Sequence, residues 1–283
     1  MSDGAFFRRL TDDRFLATDH TEGPWSPGAQ HGGPPAALLG RALERVASDP
    51  SWLTARVSVD ILGPIPVGEL SVHAEVLRPG RSVELLSAEL SAGARVVARA
   101  QGWRIRTVPG DPVVPPTPDA PPPPGPGDAH EVGWPGGYLR AIEWRTVQGG
   151  AGAAGGGGFG EPGAATQCGA EPAERSQRGL WARPRLPLVE GEEMSPLQRV
   201  LLVADSGNGA SSELPISDFW FINPELTVHL HRPADGEWIC LKARTTVSGD
   251  GVGLAESVLY DRRGTIGRGA QALLVGPRKP AVE

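Results

Sequence analysis

The chain has 283 residues, room for one large domain or two smaller ones, each able to bury a core. Its 39 Gly and 29 Pro make it rich in turns, and a net charge of −6 without a basic cluster longer than a pair argues against a nucleic-acid surface. No apolar run reaches membrane-spanning length, the opening MSDGAFFRRLTDD lacks the apolar core of a signal peptide, and Cys168 and Cys240 make neither a disulfide framework nor a metal knuckle. A cytoplasmic protein is expected, with no metal, no cofactor and no membrane partner.

In chain order, Phe6 to Leu10 and Arg14 to His20 read as short strands, followed by a loop of turn residues ending at Gly33. The period then changes. Ala36, Ala37, Leu38, Leu39, Ala42, Leu43 and Val46 fit one face of a helix opened by Pro34 and Pro35, where missing N–H groups are harmless. Strands follow at Arg56 to Leu62, Glu69 to Leu77, Ser82 to Ser91 and Val96 to Thr107, with short turns that favour antiparallel neighbours. A Pro-rich stretch from Val108 to Gly127 reads as a linker, and the Gly-Ala tract at 149–165 as a low-complexity insert.

Between and after these, Tyr138 to Val147 and Gly179 to Leu188 look like strands. Ser195 is a candidate N-cap for an apolar helix over Pro196 to Ala204, and the DSGNG sequence at 205–209 is expected to end it as a turn. Four strands close the chain between Glu225 and Val275.

Both halves thus run strand, strand, helix, then four strands, which reads as an internal repeat. Placing Val57-Ser58-Val59 over Leu226-Thr227-Val228 brings Pro64 onto Pro233, Gly68-Glu69 onto Gly236-Glu237 and Gln101 beside Gln271. The expected domains are 1–107 and 133–283, joined by a linker at 108–132. The expected fold is α+β: two antiparallel sheets, each curled around one buried helix.

That layout, with HGG at residues 31–33 opening the first helix and ELTVHLHRP, GEWI and QALLV in the second half, resembles the double-hotdog acyl-CoA thioesterases: the acyl-CoA thioesterase II group and its actinobacterial relatives. The resemblance implies a tandem hotdog with its two sheets joined edge to edge, possible further homo-oligomers, and an acyl-CoA or acyl-carrier thioester as ligand. It also implies an aspartate, a Thr or Ser, and a glutamine that hold and activate a water. Glu225 stands where that aspartate opens its strand, a departure in the acid; Thr246 and Gln271 fall on the other two.

Thioester hydrolysis needs an attacking water, a proton acceptor and donors for the oxyanion. On this reading Glu225 is the base, and Thr246 and Gln271 orient the water; the alternative for Glu225 is a solvated carboxylate at a strand end. His31, Gly32 and Gly33 precede a helix whose free N–H groups suit a carbonyl oxygen, or form an ordinary Gly-rich turn. Asp205 is a candidate substrate-binding group, although Asp205 and Asn208 also suit a helix-terminating turn. His229 and His231 share a strand face but lack a third ligand, and no G-x-S-x-G elbow is present. A dehydratase or cyclase acting on a thioester-bound intermediate, and a non-catalytic acyl-binding protein, are the alternatives.

Overall fold

The computed structural model describes residues 4–46, 49–108, 125–129, 136–147, 179–211, 214 and 218–278. The Gly-Ala tract, Cys168 and most of the expected linker lie outside the described residues.

The elements in order are β1 (Phe7–Arg9), β2 (Arg14–Ala17), α1 (Gly33–Val46), β3 (Trp52–Ile61), β4 (Glu69–Arg78), β5 (Val83–Ala92) and β6 (Arg95–Arg106). Then come β7 (Pro126–Ala129), α2 (Gly137–Ala141), β8 (Ile142–Val147), β9 (Gly179–Pro184), α3 (Pro196–Ala204) and α4 (Gly207–Ser211). The chain closes with β10 (Phe219–Ile222), β11 (Glu225–Leu230), β12 (Ile239–Val247), β13 (Val252–Asp261) and β14 (Gly264–Pro277).

Three local expectations are corrected. Tyr138 to Ala141 is helical rather than strand, because Gly137 packs so closely on the Asp19 carbonyl that no Cβ would fit there. Residues 207–211 form a short helix instead of a turn, with Ala210 N–H bonded to Ser206 O. Pro126–Ala129, inside the expected linker, pairs with β8.

All strands join one antiparallel sheet in the order β1-β2-β4-β5-β6-β3-β11-β14-β13-β12-β9-β8-β7, with β10 on β14. The junction of the two halves is the β3–β11 pair, where Val57 faces Val228 and Val59 faces Leu226. These four residues are buried on the concave side, with Leu38, Leu39 and Leu43 of α1 and Val200, Leu201 and Leu202 of α3. Each such leucine contributes roughly 2 kcal/mol by burial.

The two helices lie antiparallel against each other. Gly40 lets Leu201 approach α1, Gly33 sits on the Leu202 carbonyl, and Glu44 near the C-terminus of α1 takes hydrogen bonds from Ser195 and Gln198 at the start of α3. Ser195 caps α3 as its sequence suggests: its Oγ accepts from Gln198 N–H, and Gln198 Oε1 accepts from Ser195 N–H. The buried Arg41 is matched by a bidentate pair to Glu192 at 2.7 Å. This antiparallel contact brings the N-terminus of one helix to the C-terminus of the other at both ends of the interface.

Candidate active site

One of those ends carries a buried polar cluster. Asp205, the C-cap of α3, is 7% exposed and lies under the loop that opens α1. Its Oδ2 is 3.0 Å from His31 Nδ1, and its Oδ1 accepts from Asn223 Nδ2 at 2.8 Å and from Gln271 Nε2 at 3.0 Å. Gly33 N–H also reaches the carboxylate. Burial alone would raise the Asp205 carboxyl; the His31 charge and hydrogen bond, then the Asn223 amide and Gly33 N–H, outweigh it and hold the group below its usual value.

His31 Nδ1 thus stands between the carboxylate and the backbone N–H of Gly33. Gly33 N–H donates to that same nitrogen at 3.1 Å and also reaches the Asp205 carboxylate. The other ring nitrogen, Nε2, has no hydrogen-bond partner among the described residues. The ring is fixed from its face by Tyr138, stacked at 3.8 Å and 12°. The Tyr138 hydroxyl donates to Leu202 O at 2.9 Å and meets Ser206 Oγ at 2.8 Å, and its complete burial raises the phenol's pKa, so it stays protonated.

Gln271 is 2% exposed. Its amide nitrogen donates to both Asp205 O and Asp205 Oδ1, at 3.1 and 3.0 Å, which fixes the orientation of the amide. Its Oε1 is then a buried acceptor without a hydrogen-bond partner among the described residues. A Cβ on Gly207 would lie 3.2 Å from this oxygen and 2.7 Å from Ser257 Oγ, so it is the glycine that lets the chain come this close to both side chains. An orphaned buried acceptor calls for a donor, and a water or a substrate N–H would serve.

Glu225 and Thr246 are not brought to this cluster, and the reason is strand parity. Gln271 faces Ala255, which faces Thr245, across β14, β13 and β12. Ala272, Leu254 and Thr246 form the next row, and successive side chains alternate between faces. Thr245 therefore shares the concave face with Gln271, bonding Ser211 Oγ at 2.7 Å and donating to Asn208 Oδ1 at 3.2 Å, while Thr246 is exposed on the opposite face.

Glu225 also belongs to the outer face. β14 pairs with β11 as far as Ala270 and with β10 from Leu274, so the Ala272 N–H between them lacks a strand partner. Glu225 Oε1 accepts from that N–H at 2.7 Å and Oε2 from Thr227 Oγ1 at 3.1 Å, completing the ladder.

His31, Gly32 and Gly33 do reach the cluster, but not as a row of free donors. Pro34 and Pro35 have no N–H, Gly33 N–H goes to the dyad, and Ala36 N–H is bonded to Gly32 O at 3.0 Å. Gly32 N–H alone has no partner among the described residues. A Cβ there would lie 2.7 Å from Asp205 Oδ2, so this glycine is what admits the carboxylate. Sequence reasoning missed Asn223, Tyr138 and Thr245; only Thr245, beside the expected Thr246, carried a usable signal.

A family model described as acyl-CoA thioesterase N-terminal domain matches residues 21–105, and one described as acyl-CoA thioesterase C-terminal domain matches 114–275. The chain belongs to the acyl-CoA thioesterase family. It is a thioesterase by that membership, and acyl-CoA is the substrate the family implies. Among curated protein sequences none matches.

Solved structures share its fold over nearly the whole chain. A Thermobifida fusca YX protein described as a candidate thioesterase II is 17% identical with a TM-score of 0.68, covering 95% of each chain. An Alicyclobacillus acidocaldarius protein described as having a hot dog fold is 14% identical with a TM-score of 0.64, covering 96% of each chain. The acyl-CoA thioesterase II TesB2 of Mycobacterium marinum is 14% identical with a TM-score of 0.61, covering 98% of this chain and 97% of its own. The thioesterase thus has the hotdog fold, an antiparallel sheet around few helices.

Proposed function

We propose that the thioesterase is a double hotdog, its units meeting at β3–β11, and that it hydrolyses an acyl-CoA or acyl-carrier thioester at the cluster centred on Asp205. The observation that carries this reading is the one buried carboxylate held at once by His31 from the start of α1, Asn223 from the approach to β11 and Gln271 from β14.

Asp205 itself is a poor base, because a fully hydrogen-bonded carboxylate held below its usual value has little affinity for a proton. Its work is to keep the proton on His31 Nδ1 and to stabilise the imidazolium once it forms. His31 Nε2 takes the proton from a water that donates its other hydrogen to Gln271 Oε1. The water oxygen bonds to the thioester carbonyl carbon, and charge develops on the carbonyl oxygen, towards which Gly32 N–H is the available donor. The C–S bond then breaks, and the thiolate leaves with the proton from His31, giving a free acid and a thiol. Thr245, through Asn208 and Ser211, holds α4 against the sheet beside this water.

The test is release of free thiol from a panel of acyl-CoAs by wild type, His31→Ala, Gln271→Ala and Glu225→Gln. Hydrolysis is expected to fall by roughly 10²-fold or more for the first two variants and to change little for Glu225→Gln. Equal activity in all four proteins would remove the proposed site.

A further inference from the structure

The strand registers assign a counterpart in the first half to every sheet position of the Asp205 cluster. With Ser58 on Thr227, their partners Gln101 and Ala270 coincide, so Gln271 corresponds to Gly102 and not to Gln101. Ala255, opposite Gln271, then corresponds to Leu86, opposite Gly102; Thr245 corresponds to Val76, and Asn223 to Thr54. Aligning the helices on Pro34 and Pro196 puts Leu43 where Asp205 stands. The contact agrees: a Cβ on Gly102 would lie 3.0 Å from Leu43 Cδ1, as Gln271 meets Asp205.

The counterpart has therefore exchanged its carboxylate for Leu43, its amide for Gly102 and its hydroxyl for Val76. Leu43 packs onto Gly102 in place of the glutamine, and beside it lies a cavity of about 360 Å³ lined by Leu43, Thr54 and Leu86 from these positions. Leu197, Leu230 and Ala234 of the second half complete its apolar wall, and Glu44, Asp49 and Arg104 its polar part. Its size suits a small-molecule site. The Arg104 charge is already matched by the Glu84 carboxylate, with both side chains nearly buried. What remains for a ligand is therefore apolar surface with the spare lone pairs of Glu44, which already accepts from Ser195 and Gln198, and of Asp49, which accepts from Ser51; these carboxylates take further hydrogen bonds and repel an anion.

We propose that this cavity is a second site of the same chain, which binds the neutral acyl-pantetheine arm of a thioester without hydrolysing it. The assignment rests on the double-hotdog reading and on the substrate class proposed above. The apolar wall takes the acyl chain, the carboxylates accept from the amide N–H groups of pantetheine, and a free fatty acid is excluded by its own charge. No group of the Asp205–His31–Gln271 type is present to activate water at these positions: Glu44, next in sequence to Leu43, is held by Ser195 and Gln198.

The experiment is calorimetric titration of the full chain with a medium-chain S-alkyl-CoA thioether, which cannot be hydrolysed. The expected result is two molecules per chain in wild type and one in Thr54→Trp and in Ala234→Trp, which fill the cavity from its first-half and second-half linings. Both variants should keep kcat/KM within about twofold, and melting curves establish that they fold. One molecule per chain that is indifferent to both fillings overturns the second site, as do two molecules that survive both. Competition by the free fatty acid of equal length overturns the pantetheine assignment. A single molecule lost on filling, together with no thiol release by wild type, keeps this cavity and overturns the hydrolytic reading instead.

Discussion

Asp205→Asn isolates the charge that the cluster is built to hold. Four N–H groups converge on the carboxylate, from Asn223, Gln271, His31 and Gly33. An asparagine of the same shape offers one acceptor oxygen and an NH₂ that faces donors, so at least one buried donor loses its partner. Such an orphan costs about 1–3 kcal/mol, reduced here by relief from burying a charge. A net loss of about 2 kcal/mol would lower the melting temperature by roughly 5 °C in a domain of this size. The catalytic loss is larger. With an amide beside Nδ1, the imidazole is free to carry its proton on Nε2, which removes the base, and roughly 10³-fold in kcat corresponds to about 4 kcal/mol. Because native stability is typically about 5–15 kcal/mol, the variant stays folded at 25 °C, and the rate loss cannot come from unfolding. The assay is thiol release under saturating acyl-CoA beside thermal denaturation. A kcat within about threefold of wild type, with the expected drop in melting temperature, would refute the role of Asp205 as orienter of His31.

Glu225→Ala should leave the Ala272 N–H unpaired and cost about 1 kcal/mol by chemical denaturation, with kcat/KM changed less than about threefold. Gly32→Ala places a methyl against Asp205 Oδ2, and displacement of the carboxylate should reduce kcat by roughly 10²-fold with intact secondary structure by circular dichroism. Burial pushes the Cys240 thiol up to about 12, so iodoacetamide at neutral pH should leave it unmodified until denaturant is added, as read by peptide mass spectrometry. The Asp205 carboxyl is held below the usual carboxylate range by His31, Asn223 and Gly33, so its ionised form stabilises the fold above that range and the contribution is lost as pH falls below it. Urea unfolding from neutral pH down to strong acid should therefore show wild type losing its advantage over Asp205→Asn only on the acid branch.

The fold was legible because two periods are written plainly in this chain. Leu38, Leu39 and Leu43 recur at helical spacing behind two prolines, and Leu226, Val228 and Leu230 alternate as a half-buried strand must. Tyr138 to Ala141 was not legible: its helix depends on Gly137 meeting Asp19, a contact across 118 positions of sequence that no local propensity encodes.

The residues of the Asp205 cluster were legible in part, and the face that each strand residue takes was not. A strand pattern locates a residue along the sheet, but its face follows from register, and one step transfers a side chain to the opposite side. Thr245 and Thr246 are chemically identical and differ only in that step. The same step moved Gln101 off Gln271, and with it the apparent match between the halves. Glu225 was drawn into the site because the implied aspartate opens this strand, whereas the sheet needs a carboxylate there to close the gap between β10 and β11 on β14. Asp205 looked like a turn residue because a helix end with local hydrogen bonds and a buried carboxylate gripped by His31 and Gln271 share one sequence. What separates them is the Gly32 side of the contact: only a residue without a Cβ lets the loop before α1 settle onto that carboxylate, so HGG and DSGNG meet in one cluster and can be paired only once the helices are known to run antiparallel.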